Sequence, residues 1–177
     1  LRLYPSYVFL RLCKHLFINQ PQGLMFAVGV FMGWGELSVD GSIPYTVLAP
    51  VYLSCLFWTI AYETIYQHQD KLDDTKIGLH SPALWCAERT IPICTASSVI
   101  FLTLLSLGGA LNGHGPLFYA AVCTAGLMLI PTLIKTNIDQ PGECKALFLG
   151  TPRIGQVILA GLVADAVLQR ALTGVAL

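Results

Sequence analysis

Charge is what this chain has least of. Only 11% of its 177 residues are Asp, Glu, Lys or Arg, against 55% hydrophobic, and the formal net charge is zero. A soluble domain carries about 25% charged residues, so water is a poor candidate for its main solvent. A zero net charge gives no footprint for nucleic acid or for an acidic surface. Zinc-ligand spacing is missing as well. Six cysteines (Cys13, Cys55, Cys86, Cys94, Cys123 and Cys144) form no CxxC pair, and the four histidines fall in no ligand pattern. The cysteines read as reduced thiols packed among helices. The first residue is Leu1 and not methionine, and neither a signal peptide nor a transit peptide is apparent, which gives the expectation of the later part of a longer protein.

The uncharged stretches carry the fold class. No charged residue occurs between Lys14 and Glu36, between Asp40 and Glu63, or between Arg89 and Lys135. A spanning helix needs roughly 20 apolar residues, and the last gap holds two of them, divided at "NGHGP" (Asn112 to Pro116) as by a tight polar turn. Five spans are expected: Gln22–Ser38, Tyr45–Tyr66, Thr90–Ala110, Leu117–Lys135 and Ile154–Leu172. The alternation of a membrane strand is missing, so the class is all-α, a polytopic membrane helix bundle. Gly29, Gly33, Gly35, Gly155 and Gly161 are expected at close helix–helix contacts.

Counting bases orients the bundle. With five alternating spans, the N-terminal stretch, the loop Gln67–Arg89 and the loop Thr136–Arg153 share a side, and that side holds nine of the ten Lys and Arg residues. Only Arg170 lies opposite. The positive-inside rule places the shared side on the cytosol, or on the matrix of a mitochondrion.

On that side lies "YETIYQHQDKLDDTKIGLHS", Tyr62 to Ser81, with three aspartates in five positions. Were the helix to continue from the second span, Asp70 would lie above Asp73 and Asp74 on one face, and like charges at that spacing repel. A bound cation would relieve them. Mg²⁺ suits such a set because it keeps several waters and bridges one or two carboxylates to substrate phosphates. Next to an apolar interior, the substrate expected is a phosphorylated lipid, its diphosphate at the aspartates and its tail between helices. Tyr62, Glu63, Tyr66, Gln67 and His68 would form a polar, aromatic approach, with Gly78 and Ser81 closing the loop. Phe57, Trp58 and Tyr62 are open to two readings, walls that shield a cation from water or plain packing within a span. Asp139 and Glu143 read as ordinary loop charges, since Pro141 and Gly142 interrupt any shared helix face.

This stretch resembles the second aspartate-rich motif of the UbiA-type membrane prenyltransferases, which runs Tyr-Asp-Thr-x-Tyr-x-x-x-Asp-x-x-Asp-Asp-x-x-Ile-Gly-x-x-Ser. The resemblance extends to "PQGLMFAVGVFMGWGEL" before it and to "NIDQPGECKALF" after it. It implies a nine-helix bundle around a membrane-embedded cavity, of which these five spans would be the last five and residues 1–177 the C-terminal part of one domain. It also implies the chemistry: Mg²⁺-assisted loss of diphosphate from a prenyl diphosphate (farnesyl or longer), then attack on the allylic cation by an aromatic ring. By position, Asp70 and Asp74 match the Mg²⁺-binding, catalytic aspartates and Asp73 their acidic neighbour in the diphosphate site. Lys14 matches the basic, diphosphate-contacting residue of a Tyr-x-x-x-Lys element, although Tyr4 lies too far upstream; the other reading of Lys14 is a solvated juxtamembrane lysine. Glu63 stands where the family usually has aspartate. The family's first motif, an Asn-x-x-x-Asp-x-x-x-Asp-like element, is not present in these residues, which supports the alternative of a non-catalytic truncated paralogue or membrane scaffold subunit.

Two branches of the family resemble the chain most. The 4-hydroxybenzoate polyprenyltransferases of ubiquinone synthesis would place it in the mitochondrial inner membrane. The fungal meroterpenoid enzymes would place it in endoplasmic-reticulum-like membranes with a phenolic polyketide as acceptor. "YETIYQHQDK" and "GLHSPALWCAERT" lie slightly nearer the second, and Glu63 fits a diversified pathway.

Overall fold

In the computed structural model of the chain, residues 21–38 and 41–173 are described, and among them every regular element is helical. Two short helices, α1 (Pro21–Ala27) and α2 (Gly29–Leu37), precede α3 (Tyr45–Tyr66). A 3₁₀ turn (Gln67–Gln69), α4 (Lys71–Ile77), α5 (Pro82–Cys86) and a second 3₁₀ turn (Ala87–Arg89) lead to α6 (Thr90–Leu111). The chain then runs through α7 (Pro116–Lys135) and α8 (Pro141–Thr173). Lys14, the expected diphosphate contact, lies outside the described residues.

Among the described residues, four segments are long and apolar enough to cross a membrane: Tyr45–Gln69, Pro82–Leu111, Pro116–Lys135 and Pro141–Thr173. The fifth expected span, Gln22–Ser38, corresponds to a shorter apolar helix, Gly23–Leu37, divided at Val28. The four long helices close on one another, α3 on α6, α6 on α7, α7 on α8 and α8 back on α3. Between them Ile65, Phe101, Phe118, Val122, Leu129, Leu133 and Ile158 form the core, with Trp58 stacked on Phe101 at 5.3 Å. Outward, Leu107, Leu127, Leu149, Leu159 and Val163 are exposed. In water such a surface is an aggregation hazard; against lipid tails it costs nothing.

Glycines set how closely the long helices approach. A Cβ on Gly161 would stand 2.1 Å from the Ala121 Cβ, and one on Gly155 3.1 Å from the Trp58 ring. Both therefore sit at helix contacts as expected. Around Gly29, Gly33 and Gly35 no described residue of another helix lies within 4 Å of where a Cβ would be, so among the described residues they make no such helix contact.

The "NGHGP" turn is fastened by a carboxylate the sequence did not single out. Asp165 of α8 is fully buried; its Oδ2 accepts from the Gly115 N–H at 2.8 Å and from Gln169 Nε2 at 2.9 Å. Gln169 Nε2 also donates to the Gly113 carbonyl, 3.2 Å away. Acidic groups inside membrane helices are costly and are found paired. Here Gln169 donates from α8 itself and the Gly115 N–H from the turn, so Asp165 ties the start of α7 to α8. At the other end of the bundle, an ion pair between Lys71 and Asp139 joins the aspartate turn to the α7–α8 turn. That contact places the two loops at one end, as the base count requires.

Candidate functional site at the aspartate turn

The helix expected to carry all three aspartates on one face breaks before it reaches them. The α-helical hydrogen bonding of α3 ends at Tyr66, a 3₁₀ turn follows, and Asp70 (φ −101°, ψ 4°) stands at the N-cap position of α4. The break is held from both sides. Gln69 Nε2 bonds back to the Tyr66 carbonyl at 3.1 Å, and the buried His68 reaches Thr90 Oγ1 with Nε2 at 2.8 Å. Because the Thr90 hydroxyl gives its proton to the Ala87 carbonyl (2.8 Å), the histidine must donate through Nε2–H. Its Nδ1 is left buried without a partner among the described residues. His68 is thus buried and braces the 3₁₀ turn against α6. Tyr62 and Tyr66 pack on Phe148 of α8, with ring centroids 5.7 and 4.2 Å apart, so these aromatics fix the turn against the bundle. Phe57, Trp58 and Tyr62 all pack against the core, which supports their packing role.

Kinking the chain at Gln67–Gln69 sorts the aspartates. Asp70 and Asp74 line one cavity of about 320 Å³ together with Gln67, His80, Ser81 and Pro82. Asp73 does not join them; its carboxylate turns to Lys76, 2.7 Å away on the surface. The return of the chain makes the far wall. Gly78 takes the left-handed conformation (φ 72°), and the Leu79 N–H bonds to the Asp74 carbonyl at 2.8 Å, a glycine-ended helix stop. Leu79 to Pro82 are thereby folded back over Asp74. Ser81 and Gln67 line the cavity, and Ser81 Oγ and Gln67 Oε1 are buried in its wall with no hydrogen-bond partner among the described residues. Buried polar atoms left unpaired are costly.

Asp139, read from sequence as an ordinary loop charge, proves to be part of this arrangement through Lys71. The Lys71 ammonium beside it holds its carboxyl below the usual carboxylate range. The sign follows from linkage: a depressed folded value makes the pair contribute fully above the ordinary aspartate range, and the contribution is lost as pH falls through the depressed value.

The described residues include no group of three or more His, Cys, Asp or Glu that could hold a metal by themselves. A dedicated cage, as for Ca²⁺ or zinc, is therefore not built from them. Two carboxylates facing one cavity do fit Mg²⁺, which takes its remaining ligands from water and phosphate.

Residues 2–154 match the UbiA prenyltransferase family. The 4-hydroxybenzoate polyprenyltransferase, mitochondrial, of Schizosaccharomyces pombe is 35% identical over 144 residues, covering 81% of this chain and 40% of that protein. The protein of the same name from Homo sapiens is 38% identical over 141 residues, covering 80% of the chain and 38% of its own length. The 4-hydroxybenzoate geranyltransferase 2 of Lithospermum erythrorhizon is 32% identical over 139 residues, with 76% and 45% covered. All three are named for 4-hydroxybenzoate, so the slight leaning towards a phenolic polyketide draws no support from them. No solved structure matches the chain significantly. The chain spans about two-fifths of the length of the curated relatives it matches. It belongs to the UbiA prenyltransferase family.

Proposed function

We propose that this chain is the C-terminal part of a membrane enzyme that moves a prenyl group from its diphosphate to an aromatic carbon of 4-hydroxybenzoate, in ubiquinone synthesis. The observation that carries the reading is the convergence of Asp70 and Asp74 on one cavity with the unpaired Ser81 hydroxyl and Gln67 carbonyl. The names of the relatives supply the acceptor and, for two of the three, the mitochondrion. The concentration of Lys and Arg at the aspartate end supports the matrix side for that end.

In this reading Asp70 and Asp74 hold Mg²⁺, and Asp73 lends negative potential from outside the cavity. Held by these two carboxylates, Mg²⁺ would supply positive charge to offset the charge that grows on the leaving diphosphate. Ser81 Oγ–H, which has no partner among the described residues, donates to a diphosphate oxygen once its side chain turns towards the cavity. The allylic C–O bond breaks with its electron pair passing to the diphosphate. The ring carbon of the acceptor then forms the new C–C bond and regains aromaticity by losing its proton. Leu79 and Pro82 at the cavity wall limit the water that would otherwise capture the cation.

The acceptor is tested with membranes containing the complete protein, radiolabelled prenyl diphosphates of farnesyl length and longer, and a panel of phenols. Prenylated 4-hydroxybenzoate is the expected product, with phenolic polyketides giving none above background. Preferential prenylation of a polyketide would assign the protein to the meroterpenoid branch instead.

A further inference from the structure

Between Asp70 and Lys76 the chain carries three carboxylates and two ammonium groups. Lys71 follows Asp70 directly and stands three residues before Asp74 on α4, a spacing at which opposite charges pair on a helix. Left to itself, it would neutralise the carboxylates that face the cavity. The structure has it elsewhere: Lys71 Nζ pairs with Asp139, 68 residues further on, and does not line the cavity. Lys76, the other cation of the motif, pairs with Asp73, the one aspartate outside the cavity. Both lysines are thus engaged by carboxylates that take no part in the cavity, and Asp70 and Asp74 have no ion pair among the described residues.

Resting on the reading of Asp70 and Asp74 as metal ligands, we propose that Asp139 is a positioning residue that keeps the Lys71 ammonium off those two carboxylates and so leaves them to a divalent cation. The α7–α8 turn is braced to present Asp139. The Asp139 N–H donates to Asn137 Oδ1 at 3.0 Å, and the Asn137 N–H donates to Glu143 Oε2 at 2.8 Å. Glu143 lies in the first turn of α8, whose Phe148 packs on Tyr62 and Tyr66 of the helix leading into the aspartate turn. The carboxylate that receives Lys71 is therefore fixed to the same helix that fixes the kink.

Mn²⁺, standing in for Mg²⁺, gives a readout independent of turnover, because its free-ion electron paramagnetic resonance signal falls on binding. The complete protein in detergent micelles would be titrated as wild type, Asp70→Asn, Asp139→Asn, Lys71→Met and the Asp139→Asn/Lys71→Met double variant. Releasing Lys71 to pair with Asp74 or Asp70 has the strength of an exposed ion pair, so Asp139→Asn should weaken Mn²⁺ binding about two- to fivefold. The double variant should regain wild-type affinity, and Lys71→Met alone should lose none. An unchanged affinity in Asp139→Asn, or a loss in Lys71→Met equal to it, overturns the proposal, the latter making the pair a structural clasp. Wild-type binding that Asp70→Asn leaves intact overturns instead the assignment of Asp70 as a ligand.

Discussion

Replacing Asp70 or Asp74 by asparagine in the complete protein should lower prenyl transfer at least about a hundredfold, because several kcal/mol of charge stabilisation at the leaving group go with the ligand. Membrane abundance should hold. Each substitution is isosteric, removes a charge that has no ion-pair partner among the described residues, and relieves repulsion between two carboxylates facing one cavity. Asp73→Asn serves as the internal comparison. Its carboxylate is on the surface with Lys76, so its loss should cost far less than either of the others. The check is radiolabelled product per unit of immunodetected protein in the same membranes. Three equal losses would mean that the sorting of aspartates at the kink has no bearing on the reaction.

Expressed alone, residues 1–177 should form no prenylated product. The chain matches about two-fifths of each relative's length, and the proposed diphosphate clamp has here only the second of the family's two aspartate motifs. The four long helices close into a bundle of their own, so the expected failure is of the site and not of folding: the chain should insert and remain helical while turning over nothing. On the proposal that the chain is the C-terminal part of a longer enzyme, co-expression with the preceding residues should restore activity. Magnesium-dependent product from the chain alone would mean that these residues form a self-sufficient site. A complete protein inactive towards every acceptor would favour the scaffold reading.

The spans were legible because lipid imposes one rule on twenty residues at a time. Gaps in charge found α3, α6 and α7 within a few residues of their ends. The start of α8 was not found, because Glu143, Lys145 and Arg153 give its first turns the composition of a loop while Pro141 opens the helix. The aspartates themselves were legible as a motif, but their geometry was not. No Gly or Pro marks the break after Tyr66; it is set by tertiary partners, His68 on Thr90 and the tyrosines on Phe148. Asp139 and Asp165 escaped for the same reason, as each is defined by a partner some 50 to 70 residues away. Asn137 and Glu143, which hold Asp139 in place, act through single hydrogen bonds that no spacing announces.

In the proposed reaction the carboxylates of the aspartate turn work through a divalent cation on a prenyl diphosphate. The direct measurement is prenylation of 4-hydroxybenzoate by the complete protein after exhaustive chelation, followed by stepwise return of Mg²⁺. Product should fall to background with chelator and return with Mg²⁺, at higher concentrations in Asp139→Asn than in wild type. Product formed undiminished in the chelator would contradict it.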